Sequence, residues 1–69
     1  MKTYLSRFHF SPFAGYAWQA IHNSAPIGPE RKTRDEAERD AATFNVAPTG
    51  IWDSHSGDFR PLDWSPSNH

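Results

Sequence analysis

The chain has 69 residues and no cysteine, with three Trp, two Tyr and five Phe at a formal net charge of −1. That length is one small domain. The absence of cysteine excludes disulfides and thiolate metal sites, and the near-neutral balance excludes a polycation built for nucleic acid or membrane.

A domain this short buries only about 60% of the surface its unfolded chain exposes, so its stability is expected to be small. Large rings substitute for crosslinks, because each removes much apolar area from water per residue ordered. Self-association is the other substitute.

The first segment, "TYLSRFHF", alternates. Tyr4, Ser6, Phe8 and Phe10 point one way and Leu5, Arg7 and His9 the other, which predicts a strand. "SPFAG", residues 11–15, predicts a five-residue turn with Pro12 and Gly15 as its breakers. "YAWQAIH" alternates again, with Tyr16, Trp18, Ala20 and His22 on one face.

Closing the two strands over that turn sets Phe10 opposite Tyr16, Phe8 opposite Trp18, Ser6 opposite Ala20 and Tyr4 opposite His22. Directly opposed residues share a face. This register therefore gathers Phe8, Phe10, Tyr16 and Trp18 as the expected core, and a slip of one residue would split the set.

"NSAPIGPERK" reads as a loop, broken by Pro26, Gly28 and Pro29. "TRDEAERDAATFN" predicts a helix. Thr33 and Glu36 have capping-box spacing, with the hydroxyl accepting from the N3 amide and the carboxylate reaching back to the cap amide. Ala37, Ala41 and Phe44 form a narrow apolar stripe. Glu30–Arg34, Arg34–Glu38 and Asp35–Arg39 are spaced to pair. Asn45 is the expected C-cap, and Pro48 prevents continuation.

"TGIWDSHSGDFRPLDW" predicts a second hairpin with Gly57 at a positive-φ turn position and Pro61 on an edge strand. Two loop lengths remain open. A three-residue loop turns Ile51 and Phe59 inward and leaves Trp52, Arg60, Leu62 and Trp64 on the outer face. A four-residue loop sets Trp52 opposite Phe59. The alternative to an exposed Trp64 is that it folds over the edge strand to seal the core.

The expected fold class is α+β: a small antiparallel sheet in strand–strand–helix–strand–strand order with one helix packed on one face. Residues 1–64 form the single domain and residues 65–69 a flexible tail. The first thirty residues hold no continuous apolar run of the signal-peptide kind. Nothing approaches the roughly 20 apolar residues of a membrane span, so a cytoplasmic protein is expected.

Chemistry is sparsely represented. The four histidines, His9, His22, His55 and His69, lack i, i+4 pairing, and no metal or other cofactor is expected. "DSHSGD" brings Asp53, His55 and Asp58 near one another, but Asp, Ser and Gly belong to a hairpin turn anyway. There is no "GxSxG" elbow. The four glycines are isolated in turns, so no phosphate loop forms. No catalytic residue is assigned, and no enzyme is expected.

Binding residues are assigned from ring and arginine content, which is enriched at protein–protein hot spots. These are Trp52, Arg60 and Trp64, with Phe13 at the tip of the first hairpin. Single-stranded nucleic acid is the alternative ligand, through Arg7, His9 and neighbouring rings. Homodimerisation through the Pro61 edge or the outer patch is the third use of this surface.

"YAWQAI", the Pro/Gly-broken loop, "TRDEAERDAATF" and the closing "SGDFR" resemble short prokaryotic strand–strand–helix–strand–strand domains of unknown function, over residues 4–62. In size and plan the chain is also similar to small phage-encoded inhibitors of host defence, including anti-CRISPR proteins. That resemblance implies a non-enzymatic module occluding a larger host protein or ribonucleoprotein complex. It carries no residue-by-residue assignment.

Overall fold

A computed structural model describes residues 2–64, so the tail read at 65–69 lies outside the described residues. The elements are β1 (Thr3–Phe10), β2 (Gly15–His22), β3 (Ala25–Pro26), α1 (Arg34–Thr43), β4 (Gly50–Asp53) and β5 (Asp58–Pro61). They build a five-stranded sheet in the order β3-β2-β1-β4-β5, with α1 on one face. The fold is α+β.

The sheet differs from the expected antiparallel plan in two ways. A short β3 pairs with β2 inside the segment read as a loop. It is reached through a tight turn in which Asn23 and Ser24 both hold positive φ, 54° and 66°. That is the backbone a type I′ hairpin turn requires. Secondly, β1 and β4 are parallel. The helix returns the chain across the sheet, so β4 starts from the same end as β1 and β3.

The register of the first hairpin corrects the expected core. Phe10 pairs with Gly15, so the turn spans residues 11–14 and Gly15 belongs to β2. Ala14 supplies the left-handed residue, with φ 54° and its N–H donating to the Ser11 carbonyl at 2.9 Å. With one turn residue fewer, Leu5 faces Ala20, Arg7 faces Trp18 and His9 faces Tyr16. Neither Gly15 nor Gly50 is in a turn; both lie in strands.

The expected cluster of Phe8, Phe10, Tyr16 and Trp18 is thereby split between faces. Trp18 goes under the helix with Leu5, Ala20 and Ile51, against Ala37 and Ala41. Phe8 and Phe10 go to the other face. The physical reason is filling: alanines bring the helix close to the sheet, and Leu5 and Ile51 are the largest fully buried side chains in the narrow space. Burying each contributes roughly 1.5–3 kcal/mol. Ile27, Val46, Leu62 and Trp64 pack around this cluster.

The helix ends follow from their caps. Thr33 Oγ1 accepts from the Glu36 N–H at 3.3 Å. The Glu36 carboxylate does not take the cap amide; it accepts the Thr33 hydroxyl proton at 3.1 Å. At the C-terminus Asn45 is left-handed, φ 64°. Its N–H reaches the Ala42 carbonyl at 2.9 Å and the Val46 N–H reaches Ala41 at 3.0 Å, a Schellman arrangement with Val46 turned onto the core. Of the three spaced pairs, only Arg34–Glu38 closes among the described residues, at 2.9 Å.

The second hairpin takes the longer loop. Trp52 pairs with Phe59 and Ile51 with Arg60, with Gly57 at φ 72° in the turn. The Phe59 ring lies over Gly50, where an added Cβ would come within 2.8 Å of Phe59 Cζ. β5, ending at Pro61, is the sheet edge.

Ala14 holds a left-handed backbone without a side chain that hydrogen-bonds locally, a conformation costing an L-residue about 1–2 kcal/mol. Ala14→Gly removes that cost and adds back some unfolded-state entropy. The expected net gain is about 0.5–1 kcal/mol, measured as a higher urea midpoint at unchanged slope. An unchanged or lower midpoint would contradict the assigned turn.

Candidate functional site

Among the described residues, α1 covers one face of the sheet and the other face is open. Alternation along β1 sends Tyr4, Ser6, Phe8 and Phe10 to the open side. Their paired neighbours join them: Ala17, Gln19 and Ile21 from β2, Trp52 from β4 and, through Trp52, Phe59 from β5. None of these side chains is acidic. Trp52 is 38% exposed and Phe59 43%, and Tyr4, Phe8 and Phe10 are half-buried against their neighbours.

The rings meet edge to face. Tyr4 and Phe59 have centroids 5.7 Å apart, Phe8 and Phe10 6.0 Å, and Phe10 and Phe13 4.9 Å. This orientation suits the ring quadrupoles and sets Tyr4 against Phe59 and Phe10 against Phe8 and Phe13. Ala17, the cross-strand partner of Phe8, is fully buried although it is on the side without the helix.

At one end of the face lies a hollow of about 330 Å³, lined by Lys2, Tyr4, Ser24, Trp52 and Phe59. Lys2 Nζ sits 4.6 Å from the Phe59 ring centroid. No carboxylate is within ion-pair range of Lys2 among the described residues. At the turn end, Lys32 Nζ lies 5.6 Å from the Phe13 centroid.

The patch expected from Trp52, Arg60 and Trp64 does not form. The longer loop sends Trp52 to the open face and Arg60 to the helix face beside Ile51. Trp64 packs against the core cluster, with the Arg60 guanidinium 5.5 Å from its ring centroid. Arg34 fixes this segment: its Nη1 donates to the Trp64 carbonyl at 2.9 Å and its Nη2 to the Leu62 carbonyl. Arg60 Nε is buried without a hydrogen-bond partner among the described residues. Phe13 is half-buried at the turn, its ring against Phe10.

Arg7 and His9 are on the helix face. Arg7 Nη1 donates to Asp53 Oδ1 at 2.8 Å, with the two side chains only 14% and 4% exposed. Its guanidinium stacks 3.9 Å from the Tyr16 centroid, and the Tyr16 hydroxyl pairs with His55 Nδ1 at 2.8 Å. Arg7 is thus occupied by the fold and is not free for a phosphate. His9 is exposed, its ring edge-on to Tyr16 at 5.9 Å.

"DSHSGD" is organised by Asp53. Its carboxylate accepts from the Ser56 hydroxyl at 3.0 Å and the His55 N–H at 3.3 Å, besides Arg7. Burial raises the Asp53 pKa, but the Arg7, Ser56 and His55 hydrogen bonds outweigh it and hold the carboxyl below its ordinary value of 3.8. Among the described residues no three His, Asp or Glu side chains converge to hold a metal ion.

The residues missed as surface were Tyr4, Phe8, Phe10, Phe59 and Lys2. Their alternation was readable, but the side they turn to depends on two turn lengths. No protein-family model, curated protein or solved structure matches the chain. No helix among the described residues is long and apolar enough to cross a membrane.

Because the folded Asp53 pKa is depressed, its contribution is complete above the unfolded value of about 3.9 and is lost as pH falls through the lower folded value. Asp53→Asn leaves Arg7 without its counter-charge and is expected to cost on the order of 3 kcal/mol at pH 7. Urea unfolding of both proteins should show that gap at pH 7 and a smaller one well below pH 4. A gap that persists undiminished in acid would refute the assignment.

Proposed function

We propose that this chain is a non-catalytic protein-binding module that docks through its open aromatic sheet face. The observation that carries the reading is that face itself: five rings on neighbouring strands, no acid among the strand positions, and Trp52 and Phe59 well exposed. Depletion of charge with enrichment of Trp, Tyr and Phe is the composition of an interface centre. Among the described residues the helix side exposes one large apolar side chain, Phe44, at 54%, and its arginines Arg7 and Arg34 are tied to Asp53, Glu38 and the 62–64 carbonyls.

The resemblance in size and plan to small phage-encoded inhibitors supports the finer form of the reading. In that form the module comes from a phage or mobile element, acts in the cytoplasm and occludes a larger host protein or ribonucleoprotein complex in the manner of an anti-CRISPR protein. Occlusion needs only a complementary surface, and this face supplies one.

A second reading has its own observation. Lys2 and Lys32 each lie over a ring at opposite ends of the aromatic strip, and rings with flanking cations are how single-stranded nucleic acid is held. Two lysines on a chain of net charge −1 leave most phosphates of a bound strand without a cation, so the protein-docking reading is preferred.

The test is a pull-down from host lysate with mass-spectrometric identification, run in parallel with Trp52→Ala/Phe59→Ala. Arg39→Ala, an exposed change on the helix, serves as the control. The double variant is expected to keep its circular dichroism spectrum and lose at least 10-fold in captured partner, while Arg39→Ala captures normally. Undiminished capture by the double variant would eliminate docking through this face. A mobility shift with a single-stranded oligonucleotide at low salt, absent at high salt, would transfer support to the second reading.

A further inference from the structure

We propose that the hollow formed by Lys2, Tyr4, Ser24, Trp52 and Phe59 is the anchoring pocket of the docking face, and that it takes a ring-bearing side chain beside a carboxylate, on an acidic segment of a partner protein. The proposal rests on the protein-docking reading and adds the chemistry of what is docked.

The lining divides into two functions. Tyr4, Trp52 and Phe59 supply rings, with Tyr4 held edge-on to Phe59 at 5.7 Å and 74°. Lys2 supplies an ammonium 4.6 Å above the Phe59 ring. Three rings around a hollow would ordinarily attract a cation. Here the chain's own lysine already occupies the face of Phe59, so a cationic ligand meets repulsion and an anionic one meets a counter-charge.

No other charge competes for that role. No carboxylate is within ion-pair range of Lys2 among the described residues, and the open-face strand positions carry no acid. A carboxylate reaching Lys2 therefore displaces only water, against a cation held on its ring. The volume, about 330 Å³, is at the small end for ligand pockets and suits one large side chain rather than an extended ligand.

The single cation also decides between anion sources. A carboxylate carries one charge and matches Lys2 alone. A nucleotide strand presents a phosphate at every residue and draws its affinity from many cations along its path. Among the described residues the pocket has one, and Tyr4 and Ser24 bring only hydroxyl-bearing side chains to the lining.

The test separates ring from charge by using two probes with the same indole. The full chain is titrated with N-acetyl-tryptophan, which carries a free carboxylate, and with N-acetyl-tryptophanamide, which does not. Amide shifts are followed by NMR, and uridine 5′-monophosphate is the nucleotide arm. The acid is expected to shift Lys2, Tyr4, Ser24, Trp52 and Phe59 and to bind about 3-fold more tightly than the amide, the scale of one exposed ion pair. Lys2→Met, an exposed change, should abolish the preference and leave amide binding intact.

Equal binding of acid and amide, shifts confined to other residues, or tighter binding of the nucleotide would each overturn the proposal. Partner capture separates its failure from that of the docking reading. Capture lost with Trp52→Ala/Phe59→Ala but unaffected by Lys2→Met sinks the carboxylate pocket alone. Capture unaffected by any of these changes sinks docking through this face.

Discussion

Leu5 fixes the molecule. It is paired with Ala20 on one side and Ile51 on the other, directly beneath Ala37 and Ala41, and all five side chains are fully buried. Strand side chains alternate with period two. Turning Leu5 inward therefore turns Tyr4, Ser6, Phe8 and Phe10 outward. Paired neighbours share a face, so Ser6 carries Trp52 outward with it, and Trp52 carries Phe59. The aromatic face is a consequence of what the helix demands on the opposite side. A slip of one residue would expose Leu5 and Ile51 and push Phe8 and Phe10 toward the space beneath the helix that Leu5, Ile51 and Trp18 fill.

The same inward set contains the charged groups, and the fold consumes them. Two residues along from Leu5 and Ile51 stand Arg7 and Asp53, paired across the parallel strands. Asp53 is nearly inaccessible and remains ionised because Arg7, Ser56 and the His55 amide offset the cost of burying it. Arg34 acts similarly at the helix start, donating to Glu38 and to the carbonyls of Leu62 and Trp64. It thereby holds the Trp64 ring over the core. Buried ion pairs add little net stability, but losing one partner is costly. These arginines are thus constraints on the fold and poor candidates for ligand contact.

Much of this was legible along the chain. Alternation identified the long strands, Thr33 and Asn45 bounded the helix, Gly57 marked a turn and Pro61 an edge. Each is a local signal with a local cause. What was not legible is an integer, the number of residues in each turn. Gly15 was read as a breaker inside the turn, yet Ala14 takes the left-handed position and Gly15 extends β2. A left-handed alanine costs about 1–2 kcal/mol, and burying Leu5, Ile51 and Trp18 together returns several. Tertiary packing overrode the local preference, and one residue of turn moved the core to the other side of β1. The second hairpin shows the same dependence, because its loop length alone decides whether Trp52 stands with Arg60 or with Phe59.

Among the described residues the helix covers only one face of the sheet, which has a thermodynamic consequence. Tyr4 with Phe59, and Phe8 with Phe10, are in edge contact before any partner arrives, so in the proposed reading docking would have less to order there, which lowers the side-chain entropy cost of association. Their remaining exposure is apolar area still available for burial, at about 25 cal/mol per Å². The stability of the fold does not depend on that area, since Leu5, Ile51 and Trp18 are buried on the other side. In the proposed reading, folding and docking would draw on different faces of the same strands. Substitution on the open face can retune what is bound while the register set by Leu5 stays in place.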